Sequence, residues 1–130
     1  MRIEIVALNG FNLGRIWFIH MSDLSPLLRM ADLLIMASPL FVYSVTGIMK
    51  NFLDRLIPIK LTYIQIYNEV TSHPHRYADD RQQGFVVFSA AGFPEVTHNF
   101  DGLKALFRCL SRHSDKSSLM GEFFLPASEV

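Results

Sequence analysis

Two short, uninterrupted apolar runs constrain the fold of this chain more than any other feature of its sequence. Residues 33–37 read Leu-Leu-Ile-Met-Ala and stop at a Ser-Pro pair, and residues 85–88 read Phe-Val-Val-Phe and stop before a Gly-Phe-Pro turn. Apolar runs of this length, bounded by turn residues, are typical of strands covered on both faces. We therefore expect a mostly parallel sheet that contains both runs.

Alternating strand and helix patterns fill most of the remaining chain. Such alternation favours an α/β fold, with helices on the faces of the sheet and a binding crevice at the carboxyl ends of the strands. At 130 residues the chain is expected to form one domain, residues 1–130. The predicted strands cover residues 2–8, 33–37, 85–89 and 119–125, and the predicted helices cover residues 22–30, the segment from a cap at Ser44 or Thr46 to Pro58, and the segment after a cap at Asn99 or Asp101.

Charge and composition exclude several classes of partner. Twelve basic and twelve acidic residues give a formal net charge of zero, so no basic field gathers a nucleic-acid backbone. The hydrophobic content of 50% excludes disorder and, with zero net charge, favours a homodimer or higher homo-oligomer. The uncharged stretch 33–49 is too short and too interrupted to cross a membrane, so no membrane partner is expected.

Cysteine and histidine usage argues against metal chemistry. The single cysteine, Cys109, excludes an internal disulfide and Cys-based metal motifs, and it fits a reducing, cytoplasmic location. Its position near the apolar face of the last predicted helix predicts a buried, inert thiol. His73 and His75 flank a proline, but no acidic or cysteine ligand set completes a site around them. We therefore expect no metal centre.

The segment from Ala31-Asp32 to Asp54-Arg55 resembles a long ordered motif of the NADPH-dependent FMN reductases and iron–sulfur flavoproteins. That motif has the form A-D-x-x-I-x-x-S/T-P-x-Y-x-x-S-x-x-G-x-x-K-x-F-x-D-R. Residues 88–95 are similar to the next flavin-side loop of the family, and residues 121–129 are similar to its last strand. The resemblance implies a flavodoxin-like three-layer α/β sandwich, here with about four strands and three helices. It also implies FMN as cofactor, NAD(P)H as co-substrate, and hydride transfer to FMN followed by onward electron transfer.

The resemblance implies that two loops hold the flavin and that no side-chain acid or base is required. An isoalloxazine ring needs flat apolar walls and backbone N–H donors that stabilise the charge arriving on reduction. Phe41 and Tyr43 are the expected walls, although the alternative is that both are ordinary packing residues at a strand end. The residues expected to bind the cofactor are Pro39, Phe41, Val42, Tyr43, Ser44, Thr46, Gly47, Ala91, Gly92 and Phe93.

The sequence departs from the family at both ends. The family begins with a strand and a phosphate loop of the form G-S-x-R-x-x-x-N/S-T, whereas residues 1–8 here resemble its second strand. We therefore expect the first strand, which is central in the order 2-1-3-4-5, and the final helix to be missing. Because a gap in a buried sheet leaves backbone groups unpaired, three outcomes are open. Residues 2–8 take the central place, a partner chain fills the gap, or the chain is part of a longer product.

Some residues remain open between two interpretations. Residues 9–14 (Asn-Gly-Phe-Asn-Leu-Gly) form either a substitute anion-binding loop or an ordinary turn. Residues 73–77 resemble the family's segment near the flavin edge and the subunit contact, where Arg76 would meet a cofactor or substrate phosphate; the alternative is that Arg76 is a solvated loop residue. The alternative function for the whole chain is a truncated, non-catalytic flavodoxin-like domain that acts as an oligomeric or interaction module.

Overall fold

The computed structural model describes residues 3–7 and 21–128 of the chain. Within these ranges it confirms the four main predicted strands and the three predicted helices. A short hairpin occupies the long segment before the second apolar run. In chain order the elements are β1 (Ile3–Ala7), α1 (Met21–Met30), β2 (Leu33–Ala37), α2 (Gly47–Asp54), a 3₁₀ turn (Ile57–Ile59), β3 (Gln65–Tyr67), β4 (Val70–Ser72), β5 (Gln83–Ala90), α3 (Asp101–Arg112) and β6 (Ser117–Leu125).

The main sheet has the order β1-β2-β5-β6, and all of its neighbouring strands are parallel. Strand β1 pairs directly with β2 along its whole length, from Ile3 opposite Leu33 to Ala7 opposite Ala37. Of the three outcomes left open by the sequence, the structure supports the first in one respect, because β1 pairs directly with β2, where the first strand of the 2-1-3-4-5 order lies. Among the described strands, however, β1 is an edge strand and not a central one. The described strands thus fill positions 1, 3, 4 and 5 of that order, and no backbone gap separates β1 from β2.

One face of the sheet carries the hydrophobic core. Alternate residues of the two central strands face it, including Leu34 of β2 and Phe85 of β5, both of which are buried. All three described helices contribute to the same cluster, so all of them lie on this face. Their buried contributions are Leu28 from α1, Met49, Phe52 and Leu53 from α2, and Leu103 and Phe107 from α3.

The opposite face is apolar, and no described helix covers it. Of the expected three layers, the described residues therefore form two, the sheet and one helix layer. Phe88 of β5 and Phe123 of β6 stack on this face with ring centroids 4.7 Å apart, and both are exposed. A bulge between Phe85 and Val86 places Met120 over Gly84 on the same face. We call this surface, formed by residues 33, 35, 37, 84, 86, 88, 120, 121, 123 and 125, the open sheet face; it contains no charged residue.

The helix ends differ in how well they were predicted. Thr46 caps α2 as expected, because its side chain accepts a hydrogen bond from the Met49 N–H at 3.2 Å. Helix α2 ends at Asp54, and Pro58 lies in the following 3₁₀ turn. The prediction of a cap at Asn99 or Asp101 is wrong, since the capping residue of α3 is Phe100, which makes no side-chain capping bond.

The segment between α2 and β5 is held by local hydrogen bonds. Arg76 donates hydrogen bonds to the carbonyls of Pro58 at 2.8 Å and Lys60 at 3.2 Å. Its guanidinium therefore joins the end of this segment to its beginning. The ring nitrogens of the two histidines also have local partners, with His73 on the Tyr63 carbonyl and His75 on Asp80. No group of three metal-ligating side chains is found within residues 3–7 and 21–128.

Two further expectations concern exposure. The prediction that Cys109 is buried is wrong: its thiol is exposed, because Cys109 lies outside the buried stripe that Leu103 and Phe107 form on α3. None of the described helices has the length and apolar content to cross a bilayer. The uncharged stretch 33–49 forms β2, a loop and the start of α2.

Candidate functional site

The loops that follow β2 and β5 meet at the carboxyl edge of the sheet. Beyond the last paired strand residue, the Ser38 N–H donates to the Phe88 carbonyl at 3.1 Å and the Leu40 N–H donates to the Ala90 carbonyl at 2.8 Å. These bonds extend the parallel pairing of β2 and β5 into the loops. The structure therefore brings residues 39–47 and 91–93, the two groups expected to bind a cofactor, to one edge of the sheet.

The first loop contains a tight turn with an unusual backbone. Phe41 and Ser44 exchange two backbone hydrogen bonds of 2.9 and 3.0 Å, and the residues between them have positive φ angles, 46° at Val42 and 63° at Tyr43. Two consecutive positive φ angles are typical of a type I′ turn, which normally contains asparagine and glycine. A β-branched residue such as Val42 is strained there.

Ser38 and Thr46 hold the base of this loop. The Ser38 hydroxyl accepts a hydrogen bond from the Thr46 N–H at 3.1 Å, and Thr46 in turn caps helix α2. Both residues are buried, with Thr46 only 1% exposed. Thr46 therefore serves to fix where the loop ends and the helix begins, rather than to offer surface to a ligand.

Helix α3 presses against the turn from the other side. A Cβ atom added at Gly102 would lie 2.6 Å from the Tyr43 carbonyl oxygen, which is closer than real Cβ contacts occur. Only glycine fits there without moving the turn. Ser38 and Gly102 were not among the predicted site residues. The Ser-Pro pair at the end of the apolar run signals the first, whereas no local pattern signals the second, because its neighbour Tyr43 is distant in the chain.

The second loop is fastened to the end of the chain. The Ala91 N–H donates to the Leu125 carbonyl at 3.0 Å, and the Ala91 carbonyl accepts from the Ser128 N–H at 2.9 Å. The Phe93 carbonyl accepts from the Ala127 N–H at 2.9 Å. Ala91 is buried and its N–H is already paired, so it supports the loop and offers no donor to a ligand.

The outer parts of both loops provide the surface that a flat ligand requires. Tyr43 and Phe93 are each 55% exposed, Phe41 is 38% exposed, and a Cβ added at Gly47 would meet nothing within 4 Å. Among the described residues, no acceptor is paired with the backbone N–H groups of Val42, Tyr43 or Gly92. Aromatic faces, open space and free backbone donors fit the ring system of a flavin. The segment 9–14, the candidate anion loop, lies outside the described residues.

Within the two described loops, residues 39–47 and 91–93, Tyr43 is the only residue with a titratable side chain. Pro39 and Ser44, the remaining predicted site residues, line the half-buried part of the first loop. The groups whose pKa is shifted lie elsewhere: an ion pair with Glu122 raises the pKa of Arg108, one with Asp80 raises that of Arg29, and burial lowers that of Lys60. The arrangement suits chemistry in which the protein binds and orients a reactive cofactor and transfers no proton from a side chain.

Solved structures share this fold at low identity. A thermophilic tryptophan halogenase (Th-Hal) from Streptomycin violaceusniger is 18% identical with a TM-score of 0.63; the match covers 87% of this chain but 64% of that chain, less than two thirds of its length. An NADPH-quinone reductase from P. pentosaceus is 12% identical with a TM-score of 0.68, and the match covers 98% of this chain and 86% of that chain. A comparison with curated proteins finds no match.

The sequence itself carries the family assignment. The sequence model of the family described as NADPH-dependent FMN reductase matches residues 3–93, which is more than half of the chain and includes β1, both site loops and the segment between them. The chain belongs to the NADPH-dependent FMN reductase family.

Proposed function

We propose that this chain is an NAD(P)H-dependent FMN reductase-like flavoprotein whose flavin lies at the carboxyl edge of the sheet. Membership of the family supports the cofactor and the class of reaction. The observation that carries the proposal is that exposed aromatic side chains and free backbone N–H groups lie together on two adjoining loops. The proposed location is the cytoplasm, in keeping with one unpaired cysteine.

Some of these residues would contact the flavin, and the others would hold the two loops in place. Phe41, Tyr43 and Phe93 would provide the apolar walls, and Gly47 would leave room for the ring edge. The N–H groups of Val42, Tyr43 and Gly92 would donate to the polar edge of the ring, where negative charge accumulates on reduction. Pro39, Ser44, Thr46 and Ala91 would keep these groups in place through the loop and cap contacts described above.

The chemistry would come from the cofactor. When bound, FMN supplies a centre that accepts hydride from NAD(P)H and passes electrons onward. The chain's own task is to bind the ring, to leave one face of it open to a nicotinamide, and to fix donors where charge develops. No side chain at the site has to act as a general acid or base.

Binding of FMN to the purified chain tests this proposal. We expect added FMN to lose fluorescence on binding, and Tyr43→Ala to weaken FMN binding up to about tenfold through lost stacking. Tyr63→Ala is the matched control, because Tyr63 is 58% exposed in the segment between α2 and β3, outside both loops. Unquenched flavin, or equal losses in the two variants, would refute the proposed site.

The open sheet face favours a second candidate function, self-association of a domain without catalysis. Its four most exposed side chains are Phe88, Met120, Phe123 and Leu125, which are 42–69% exposed. Together they present about 400 Å² of apolar surface, roughly half of what one partner buries in a standard interface. We propose a weak homodimer through this face, because an uncharged apolar surface is complementary to a second copy of itself.

The oligomeric state measured by light scattering against concentration tests the dimer. We expect a monomer–dimer equilibrium for the wild-type chain and a monomer for Phe123→Lys. Ile66→Lys is the control, since Ile66 is 79% exposed on the separate β3–β4 hairpin. A dimer that survives Phe123→Lys would contradict this interface, and FMN binding by the monomer would separate the two candidate functions.

A further inference from the structure

A second cleft lies at the other end of the molecule from the two site loops. Its volume is about 420 Å³, within the range of small-molecule sites. It opens between α1, α3 and the segment after α2, over the amino-terminal halves of the central strands. Nothing in the proposed flavin chemistry uses it.

Helix α2 is the shortest of the three described helices on the sheet face that carries the cleft. Helix α2 has 8 residues, whereas its neighbours α1 and α3 on the same sheet face have 10 and 12. At 1.5 Å per residue, α2 is about 6 Å shorter than α3. Leu53 of α2, Leu56 just after it and Leu106 of α3 are among the apolar side chains that line the cleft.

The cations that line the cleft differ in whether a carboxylate pairs with them. Four basic side chains line it, Arg29, Lys60, Arg81 and Lys116, against a single acidic one, Asp80. Asp80 is neutralised within the protein: its two oxygens bind the Arg29 Nε at 2.5 Å and the His75 Nδ1 at 2.9 Å. Arg29 also pairs with Asp79 at 2.9 Å, and Arg81 pairs with Asp32 at 3.5 Å. Among the described residues, no carboxylate pairs with Lys116, so its positive charge is uncompensated next to an apolar wall.

Lys60 is the one of these cations whose charged atom is buried without a hydrogen bond. Its Nζ is buried and has no hydrogen-bond partner, and its nearest carboxylate oxygen, Asp115 Oδ1, lies 3.6 Å away and is likewise without a hydrogen bond. A buried ammonium without hydrogen bonds is costly, and an oxygen ligand beside it would relieve that cost. Lys116, next to Asp115 in the chain, adds a second cation to the same lining.

We propose that this cleft binds a small amphipathic carboxylate, with its hydrocarbon body on the leucine-lined wall and its carboxylate at Lys60 and Lys116. The apolar wall accounts for the body of the ligand. The unpaired charge of Lys116, next to the buried Lys60 ammonium that lacks a hydrogen bond, accounts for the sign of its head group. This site is separate from the flavin loops and does not depend on flavin binding.

Cys109 provides a reporter inside the cleft. It is the only cysteine of the chain, its thiol is exposed, and it is one of the lining residues. Sodium decanoate is the probe, and the rate of Cys109 modification by a disulfide reagent is the measurement. We expect decanoate to slow the modification in a saturable manner, and the decylammonium cation at the same concentration to leave the rate unchanged. Equal protection by both amphiphiles, or no protection, would overturn the proposal.

Substitutions locate the binding and its charge. Lys60→Met should weaken decanoate protection at least tenfold, while Lys60→Arg should retain it. Leu110→Trp fills the cleft from a position that is 40% exposed and should abolish protection, whereas Leu125→Trp, 61% exposed on the open sheet face, should not. Thermal melting shows which variants are folded. Loss of protection in Leu125→Trp alone, or full protection in folded Leu110→Trp, would place decanoate elsewhere and overturn the proposal.

Discussion

At the scale of single residues, backbone strain separates the site turn from an ordinary hairpin. Val42 and Tyr43 hold positive φ angles in the site loop, and Asn68 and Glu69 do the same between β3 and β4. The hairpin begins with asparagine, which tolerates this region, whereas the site turn uses a valine and a tyrosine. The site turn therefore carries strain that its surroundings must maintain, which is common where a backbone is held for a ligand.

Val42→Gly tests the role of this strain. Relief of the left-handed conformation, less the entropy cost of glycine, should raise the free energy of unfolding by about 1 kcal/mol. We expect FMN binding to weaken several-fold, because the N–H groups of the turn are less firmly held. Glu69→Gly is the matched control and should give a similar stabilisation without altering FMN binding. Denaturant titration and flavin titration measure the two effects; unchanged FMN binding in Val42→Gly would contradict the assigned role.

Lys60 gives stability a pH dependence of defined sign. Burial lowers the pKa of Lys60 from 10.5, and Asp115 opposes that shift. The folded chain then binds this proton less tightly than the unfolded chain. At neutral pH, where Lys60 is charged in both states, the burial of the charge therefore lowers the free energy of unfolding by its full amount. This destabilisation is relieved as pH rises from the lowered pKa towards 10.5. We expect the free energy of unfolding of the wild type, relative to Lys60→Met, to increase over this alkaline range. A decrease over the same range would contradict the burial of Lys60.

At the scale of elements, two glycines in the first turns of helices make opposite predictions. A Cβ at Gly102 of α3 would meet the Tyr43 carbonyl at 2.6 Å, while a Cβ at Gly47 of α2 would meet nothing within 4 Å. Gly102→Ala should cost about 1–3 kcal/mol and displace the site turn. Gly47→Ala should stabilise by a few tenths of a kcal/mol to about 1 kcal/mol. Thermal melts of the two variants that coincide would refute the close approach of α3.

Local patterns in the sequence predicted most helices and strands, but they did not predict contacts between segments that are distant in the chain. The apolar runs predicted β2 and β5, and Thr46 predicted the start of α2. Both predictions were possible because strand burial and helix capping depend on residues that are close in the sequence. The predictions for the cap of α3 and for the burial of Cys109 were wrong, because both features depend on how α3 lies on the sheet. For the site, the family motif indicated both loops, but the support from Gly102 becomes visible only when α3 is placed beside Tyr43.

At the scale of the whole molecule, the order of the strands determines where the site loops and the open sheet face lie. Because β1 pairs with β2, the sheet is continuous through the positions that carry the site loops. The helix-covered face is a packed core, and the other face is apolar and open among the described residues. The chain thus carries the proposed flavin edge and the surface proposed for self-association at different places, and the two proposals can be tested separately.

The most direct test of the flavin assignment is to follow the visible absorbance of FMN on the wild-type chain in the absence of oxygen. After unbound flavin is removed by gel filtration, flavin should remain with the protein, and added NADPH should bleach its absorbance. Admission of oxygen should restore it. Protein that emerges colourless from the column, or retained flavin that NADPH leaves unbleached, would contradict the proposal that this chain is a working flavin reductase.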